Sequence, residues 1–371
     1  MDEYKRSAFR RRAEQVIFDT VRRVLSQQRA SEHVKKVQDR YPSLPPDALA
    51  DILIRHAVRK TIVSGATSGV VVTALETLVA VPVPEASHKV ASALAALGTA
   101  SADLSYTTGV QMQLVLDVAH LYNAPYDADD EGDVWIILKA ALGIKGTAKA
   151  GSLGRFIFTE AARKQFRRLL RTHGLRRGLQ QFVARVAGPR VARYLAEKYL
   201  LRLIWVANIG IGAVFNRYVT SAVGKWAKVR AKTRASLFQQ IDALKGQIDE
   251  PASLVLPLIY WVGTADDRLT DNVLTLYAQA AKRFGLTEDS EKRIATLIAD
   301  RDDLYEVLTE RLRAVSNKEA RRLLFETAVT TAAVDLDDKD DYHRCLEDLS
   351  KVLDVRYSRK DLQQAIEHLS A

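Results

Sequence analysis

Apolar residues recur at three- and four-residue intervals along most of the 371-residue chain, the spacing typical of amphipathic helices. Capping patterns indicate helix starts at Ser316, three residues before Glu319, and at Ser358, three residues before Asp361. We find no convincing alternation of apolar and polar residues and no Asn-Gly or Asp-Gly turn that would indicate a hairpin. The pattern therefore predicts an all-α fold.

Helix boundaries follow from glycine, proline and the capping residues. The predicted helices include 46–64, 67–80, 106–122, 205–222 and 225–246. Because proline is well tolerated in the first turn of a helix, we expect a new helix near Pro251, followed by about six more.

Three stretches are nearly apolar: Thr61–Val83, Ala91–Tyr122 and Leu200–Gly224. A membrane span needs about 20 apolar residues, so their length qualifies, but each contains ionisable or polar residues that disfavour insertion. Three readings stay open: buried helices of a soluble bundle, a bundle that embeds in the bilayer interface, and genuine spans. We favour the bundle that associates with a membrane.

The net charge of +10 conceals two unequal halves. Residues 241–371 carry 18 Lys and Arg against 26 Asp and Glu, a net charge of −8, which leaves +18 for residues 1–240. This swing predicts a basic helical domain over 1–240 and an acidic helical domain over 241–371, connected by Lys225–Lys245. One candidate partner of the basic half is therefore the acidic half itself.

Basic charge is concentrated between Arg155 and Arg202, which contain 13 Lys and Arg and only two acids. Arginine alternates there with apolar residues at helical spacing, a pattern that suits an anionic membrane surface, nucleic acid or a plain solvated helix face. We consider nucleic acid the least favoured of these partners. The candidate anion-binding residues are Arg163, Lys164, Arg167, Arg168, Arg171, Arg176, Arg177 and Arg185.

Residues of the basic half resemble the EcsC family over about 45–235. The resemblance rests on the Lys60-Thr61 helix that leads into a Gly- and Ser-rich apolar stretch, on Asp103, on the helix Gln113–Tyr122, and on Gly210-Ile-Gly212 with Gly224. The chain departs from the family pattern at Trp205 and Ala207-Asn208. The resemblance implies a helical, membrane-associated protein without established chemistry.

The acidic half resembles a TerB-like tellurite-resistance domain over about 250–370. Ala265-Asp266-Asp267 begins the motif and Phe284-Gly285-Leu286 ends its helix, and a shift of 69 residues places Asp335 on Asp266. The resemblance thus implies two duplicated helical units. The family glycine is replaced by Asp267 and by Leu336, and the family glutamate falls on Val273 and Tyr342.

The two acidic turns suggest a hard divalent cation such as Ca²⁺, which takes several oxygen ligands. The spacing does not match an EF-hand loop, and acidic residues at the positive end of a helix are the alternative explanation. The candidate ligands are Asp266, Asp267, Asp271, Asp335, Asp337, Asp338 and Asp340. No other cofactor is indicated.

Catalytic patterns are weak. The chain has no P-loop, dinucleotide-binding, zinc-protease or nucleophile-elbow motif, and its seven histidines show no metal spacing. Cys345 follows His343 by two residues, which points the two side chains to different faces of a helix, so we expect Cys345 in the core. The acids Glu76, Asp103 and Asp117 interrupt apolar helices and would need a partner such as Lys60, Lys89 or Arg202 if buried.

Two functions remain. The first is a non-enzymatic protein on the inner face of the cell membrane, in which the acidic half regulates lipid docking by the basic half in stress or defence. The second is a cytoplasmic effector or hydrolase that holds an acidic polymer or a phosphorylated ligand on its arginine-rich helices. A further protein partner is compatible with both, and the single cysteine fits a reducing compartment.

Overall fold

The computed structural model describes residues 29–80, 106–107, 109–127, 133, 136–137, 157–158, 209–299 and 301–370. Apart from one pair of two-residue strands, the elements in these ranges are helices, so the predicted all-α fold is confirmed. The helices are α1 (Arg29–Arg40), α2 (Pro46–Ala80), α3 (109–121), α4 (Ile209–Lys245), α5 (Ala252–Gly263), α6 (Asp271–Phe284), α7 (Glu288–Ala299), α8 (Arg301–Arg313), α9 (Lys318–Ala333), α10 (Asp340–Leu353) and α11 (Arg359–Ser370). Strands β1 (Ile157–Phe158) and β2 (Leu269–Thr270) pair antiparallel.

The chain divides into two compact units. Unit 1 comprises Met1–Ile144 and Val191–Lys228, and unit 2 comprises Lys145–Arg190 and Val229–Ala371. The division after Lys228 lies inside the connector predicted at Lys225–Lys245.

Two predicted helix breaks are wrong. The helices expected over 46–64 and 67–80 form one helix, α2, and those over 205–222 and 225–246 form one helix over Ile209–Lys245. Gly224 continues α4 because its missing side chain makes room for a neighbour: a Cβ there would lie 2.5 Å from Cγ1 of Ile54. Glycine at this position allows close packing of α2 against α4 and does not end the helix.

The helix starts in the acidic half agree more closely with the positions predicted from the sequence. Pro251 precedes α5, as predicted. Ser358 donates its backbone N–H to Oδ2 of Asp361 at 2.7 Å, the returning arm of the predicted capping box. At α9 the cap is Asn317 and not Ser316, because the Asn317 side chain accepts hydrogen bonds from the backbone N–H groups of Glu319 and Ala320.

Unit 2 contains a structural repeat with the predicted shift of 69 residues. Helices α6 and α10 are both 14 residues long and begin at Asp271 and Asp340. Before them, Asp267 and Leu336 both adopt positive φ angles, of 58° and 53°. After them, Gly285 and Asp354 do the same, at 64° and 53°. The same turns therefore bracket the same helix in each repeat.

Helices α5 and α9 open the two repeats and form the centre of unit 2. Both are largely buried and pack against each other. Helices α6, α7 and α8 also pack on α5, while α10 and α11 pack on α9. One hydrophobic core, which includes Leu256, Ile259, Leu324 and Leu346, is thus shared by the two repeats.

The left-handed turn after α6 provides a test of the repeat. We expect Gly285→Ala to lower the stability of unit 2 by about 1–2 kcal/mol, because a β-carbon disfavours positive φ. Gly246→Ala is the matched control, since the nearest atom to its Cβ would be 3.8 Å away and its φ is not in this range. Amide hydrogen exchange of α5 measures both, and equal protection in the two variants would contradict the assignment.

Candidate functional site

The acidic turns of the two repeats exchange hydrogen bonds. Thr270, directly before α6, donates its hydroxyl to Oδ1 of Asp335 in the second repeat at 3.2 Å. Lys339, directly before α10, lies at the equivalent position and donates its Nζ to Oδ2 of Asp266 in the first repeat at 2.7 Å. Each repeat therefore supplies the donor for the other repeat's carboxylate.

Both carboxylates are removed from solvent. The side chain of Asp266 is only 4% exposed and its cation, Lys339, is 25% exposed. Asp335 is 1% exposed, and Asn272 donates to its Oδ1 at 2.7 Å in addition to Thr270. Burying a charge is costly unless it is paired and hydrogen-bonded, so these contacts are what permits the two carboxylates to be shielded from solvent.

The other predicted ligands differ in their surroundings. Lys339 also contacts Oδ2 of Asp337 at 3.3 Å, while Asp338 contacts Nε2 of His343 at 2.5 Å. Asp340 pairs with Arg359 at 3.1 Å on the surface. Asp271 is the first residue of α6, and Asp267 adopts the left-handed turn conformation.

The structure thus joins Asp266 and Asp337 through Lys339, but it does not gather the seven aspartates around one point. Within the residues it describes, no group of three or more His, Cys, Asp or Glu side chains could hold a metal ion. The described contacts of these acids are ion pairs and hydrogen bonds, some of them across the repeat.

His343 links two turns in the second repeat. Its Nδ1 lies 2.6 Å from the hydroxyl of Tyr357, whose ring packs edge-on against Phe325, and its Nε2 contacts Asp338. Burial, followed by the charges of Glu347, Asp361 and Asp338, raises the pKa of Tyr357, so the phenol stays protonated. The equivalent positions in the first repeat are Leu269, Leu274 and Glu288.

Cys345 lies in the core, as expected, and is 8% exposed. Burial raises the pKa of its thiol to about 12, with a further contribution from Asp348. The thiol is therefore protonated at neutral pH and is not a nucleophile. His343 makes its contacts with Asp338 and Tyr357, on a different side of α10.

Removing the positive charge of Lys339 tests how much its ion pair with Asp266 contributes to stability. We expect Lys339→Met to lower the stability of unit 2 by about 1–3 kcal/mol, because Asp266 loses its charged donor. Lys351→Met is the control: it removes an exposed pair with Asp348, which is worth about 0–1 kcal/mol. Amide exchange of α5 measures both changes. A similar loss in the two variants would show that the ion pair between the repeats contributes no more to the stability of unit 2 than an exposed ion pair does.

Unit 1 carries a basic surface on α1 and α2. Burial lowers the pKa of His56, and the neighbouring charges of His33, Arg59, Lys60 and Arg40 lower it further. Arg59 and Lys60 follow His56 by three and four residues, so all three lie on one face of α2. Helix α1 packs against α2 and contributes His33 and Arg40. We call these five residues the His56 cluster.

Large apolar side chains are exposed on the same unit. Val63 is 64% exposed and follows Lys60 by three residues on α2. Tyr218, on α4 beside the exposed Arg217, is 69% exposed, and Tyr106 is 50% exposed. The described surface of unit 1 therefore combines cations with apolar groups.

A buried polar seam joins three helices of unit 1 near these residues. The hydroxyls of Thr61 on α2 and Thr220 on α4 are 3.0 Å apart, and Nε2 of Gln111 on α3 donates to Thr220 at 3.0 Å. Asn216 donates to the carbonyl oxygen of Thr61 at 3.1 Å. The seam fixes the register of the three helices, and its members are too far apart in sequence for the pattern to reveal it.

Three further side chains of unit 1, Asp117, Lys228 and Tyr122, make contacts with charged groups. Asp117 is buried, as its apolar helix suggested, but its described partners are His33, at 2.5 Å, and Gln113, at 2.7 Å, instead of the expected Lys or Arg. The buried Lys228 contacts Asp51 at 3.2 Å and Asp47 at 3.9 Å. Tyr122 donates its hydroxyl to Asp47, and burial together with this bond raises the pKa of Tyr122.

Comparisons with protein-family models, with curated proteins and with solved structures found no match to the chain. The anion-binding residues predicted from the sequence lie outside the described residues; they are Arg163, Lys164, Arg167, Arg168, Arg171, Arg176, Arg177 and Arg185. Among the helices that the structure does describe, none has the length and apolar character needed to cross a bilayer. The His56 cluster was not predicted, although the spacing of His56, Arg59, Lys60 and Val63 along one helix face is visible in the sequence.

Proposed function

We propose that the protein is a non-enzymatic, peripheral membrane protein that docks on anionic lipid through unit 1. The observation that carries this proposal is the exposed stripe of α2 on which Arg59 and Lys60 precede Val63 at helical spacing. Cations that neutralise headgroup charge, next to apolar groups that enter the acyl boundary, are what an interfacial helix requires. Val63 belongs to the nearly apolar stretch Thr61–Val83.

The chemistry of the described titratable groups favours docking over catalysis. Cys345 is a protonated core thiol, and His343 is engaged by Asp338 and Tyr357. The acids Asp266 and Asp335 are buried and bonded across the repeat. These groups are held within the fold of unit 2, so the proposal places binding on the basic and apolar surface of unit 1.

We further propose that the acidic half regulates docking. Residues 241–371 carry a net charge of −8, and such a domain competes with anionic lipid for the same cations. In this proposal the chain combines an EcsC-like basic half with a TerB-like acidic half and acts in stress or defence at the inner membrane face. Electrostatic attraction reaches only about 8 Å at physiological salt, so regulation requires direct contact or release.

Vesicle binding tests the docking surface. We expect the full chain to bind vesicles that contain an anionic phosphodiester lipid, and Arg59→Gln with Lys60→Gln to weaken binding by about 30-fold, because each cation near the surface is worth about 1 kcal/mol. Arg313→Gln with Lys318→Gln is the matched control, since it removes one exposed arginine and one exposed lysine from unit 2.

High salt and a soluble polyanion distinguish the possible outcomes of this experiment. Surface docking predicts release at high salt. Failure of the full chain to bind at physiological salt, or equal loss in both double variants, would rule out this surface. Tight binding to a soluble polyanion without binding to vesicles would instead support the effector that acts on an acidic polymer.

A further inference from the structure

His56 is a half-buried imidazole that lies among positive charges. Arg59 and Lys60 share its face of α2, and His33 and Arg40 approach from α1. Asp117 contacts the cluster through Nδ1 of His33 at 2.5 Å and also accepts a hydrogen bond from Gln113, while Glu32 and Asp39 adjoin His33 and Arg40 on α1. The cluster therefore concentrates cations around the imidazole of His56.

Repulsion within the cluster has a definite consequence for proton binding. Because burial and the four neighbouring charges lower the pKa of His56, its imidazole is neutral at neutral pH in the free protein. An anion bound at the cluster would offset the repulsion and favour the protonated form. Binding would then take up a proton, so affinity must rise as pH falls and level off once His56 is protonated in the free protein too.

We propose that the His56 cluster is the contact for anionic phospholipid headgroups, and that protonation of His56 strengthens this contact. The inference rests on the proposed membrane docking and adds its regulation by pH. A phospholipid surface suits the cluster because the exposed Val63 lies one turn beyond Lys60 on α2, where an apolar side chain can enter the bilayer boundary.

The test compares vesicle binding by the full chain at about pH 8 and about pH 5.5. The vesicles contain an anionic phosphodiester lipid whose charge is constant over this range. We expect the affinity for vesicles to be higher at the lower pH. In His56→Gln the ratio of the two affinities should be about fivefold smaller than in the wild type, because one added cation contributes about that factor near an anionic surface. His56→Arg should bind at the higher pH about fivefold more tightly than the wild type.

His368→Gln is the matched control, because His368 is an exposed histidine in unit 2. We expect this variant to keep the wild-type dependence on pH. An unchanged pH dependence in His56→Gln would overturn the inference and leave docking intact, whereas absence of vesicle binding at both pH values would overturn the proposed function itself. Displacement of the protein from vesicles by inorganic phosphate at constant ionic strength would overturn the assignment to a lipid surface.

Discussion

Unit 2 is built around two solvent-shielded carboxylates, each of which takes a side-chain donor from the other repeat. Asp266 takes its charged donor from Lys339, and Asp335 takes a hydroxyl donor from Thr270, so each acid is stabilised across the repeat. An unpaired charge in the core would cost several kcal/mol, a large part of the stability of a typical domain. The requirement brings the two turns together and, with them, the central helices α5 and α9.

The sequence predicted this arrangement in part. The shift of 69 residues is visible because Asp266 and Asp335 occupy equivalent positions in similar apolar surroundings, and helices α6 and α10 follow that shift residue for residue. The left-handed turns are harder to predict from the sequence, since Asp267, Leu336 and Asp354 adopt a positive φ at positions where glycine would be expected. Only Gly285 signals its turn directly.

Other features depend on contacts that local patterns do not contain. Gly224 reads as a helix break, yet tertiary packing against Ile54 makes it part of a continuous helix. The acidic turn of the second repeat predicts a cation site from its residue types, whereas the contacts of Lys339, His343 and Arg359 with its aspartates cannot be seen in the sequence. The partners of an acid decide its role, and the sequence shows only that the acid is present.

His343 also distinguishes the two halves of the repeat from each other. A duplicated domain with chemically equal halves would offer a partner two equivalent orientations. Here one half presents the linked Asp338, His343 and Tyr357, while the other places Leu269, Leu274 and Glu288 at the same positions. The exposed carboxylate of Asp338 stands where the first half has the buried Leu269, so the two halves are not interchangeable to a partner at these turns.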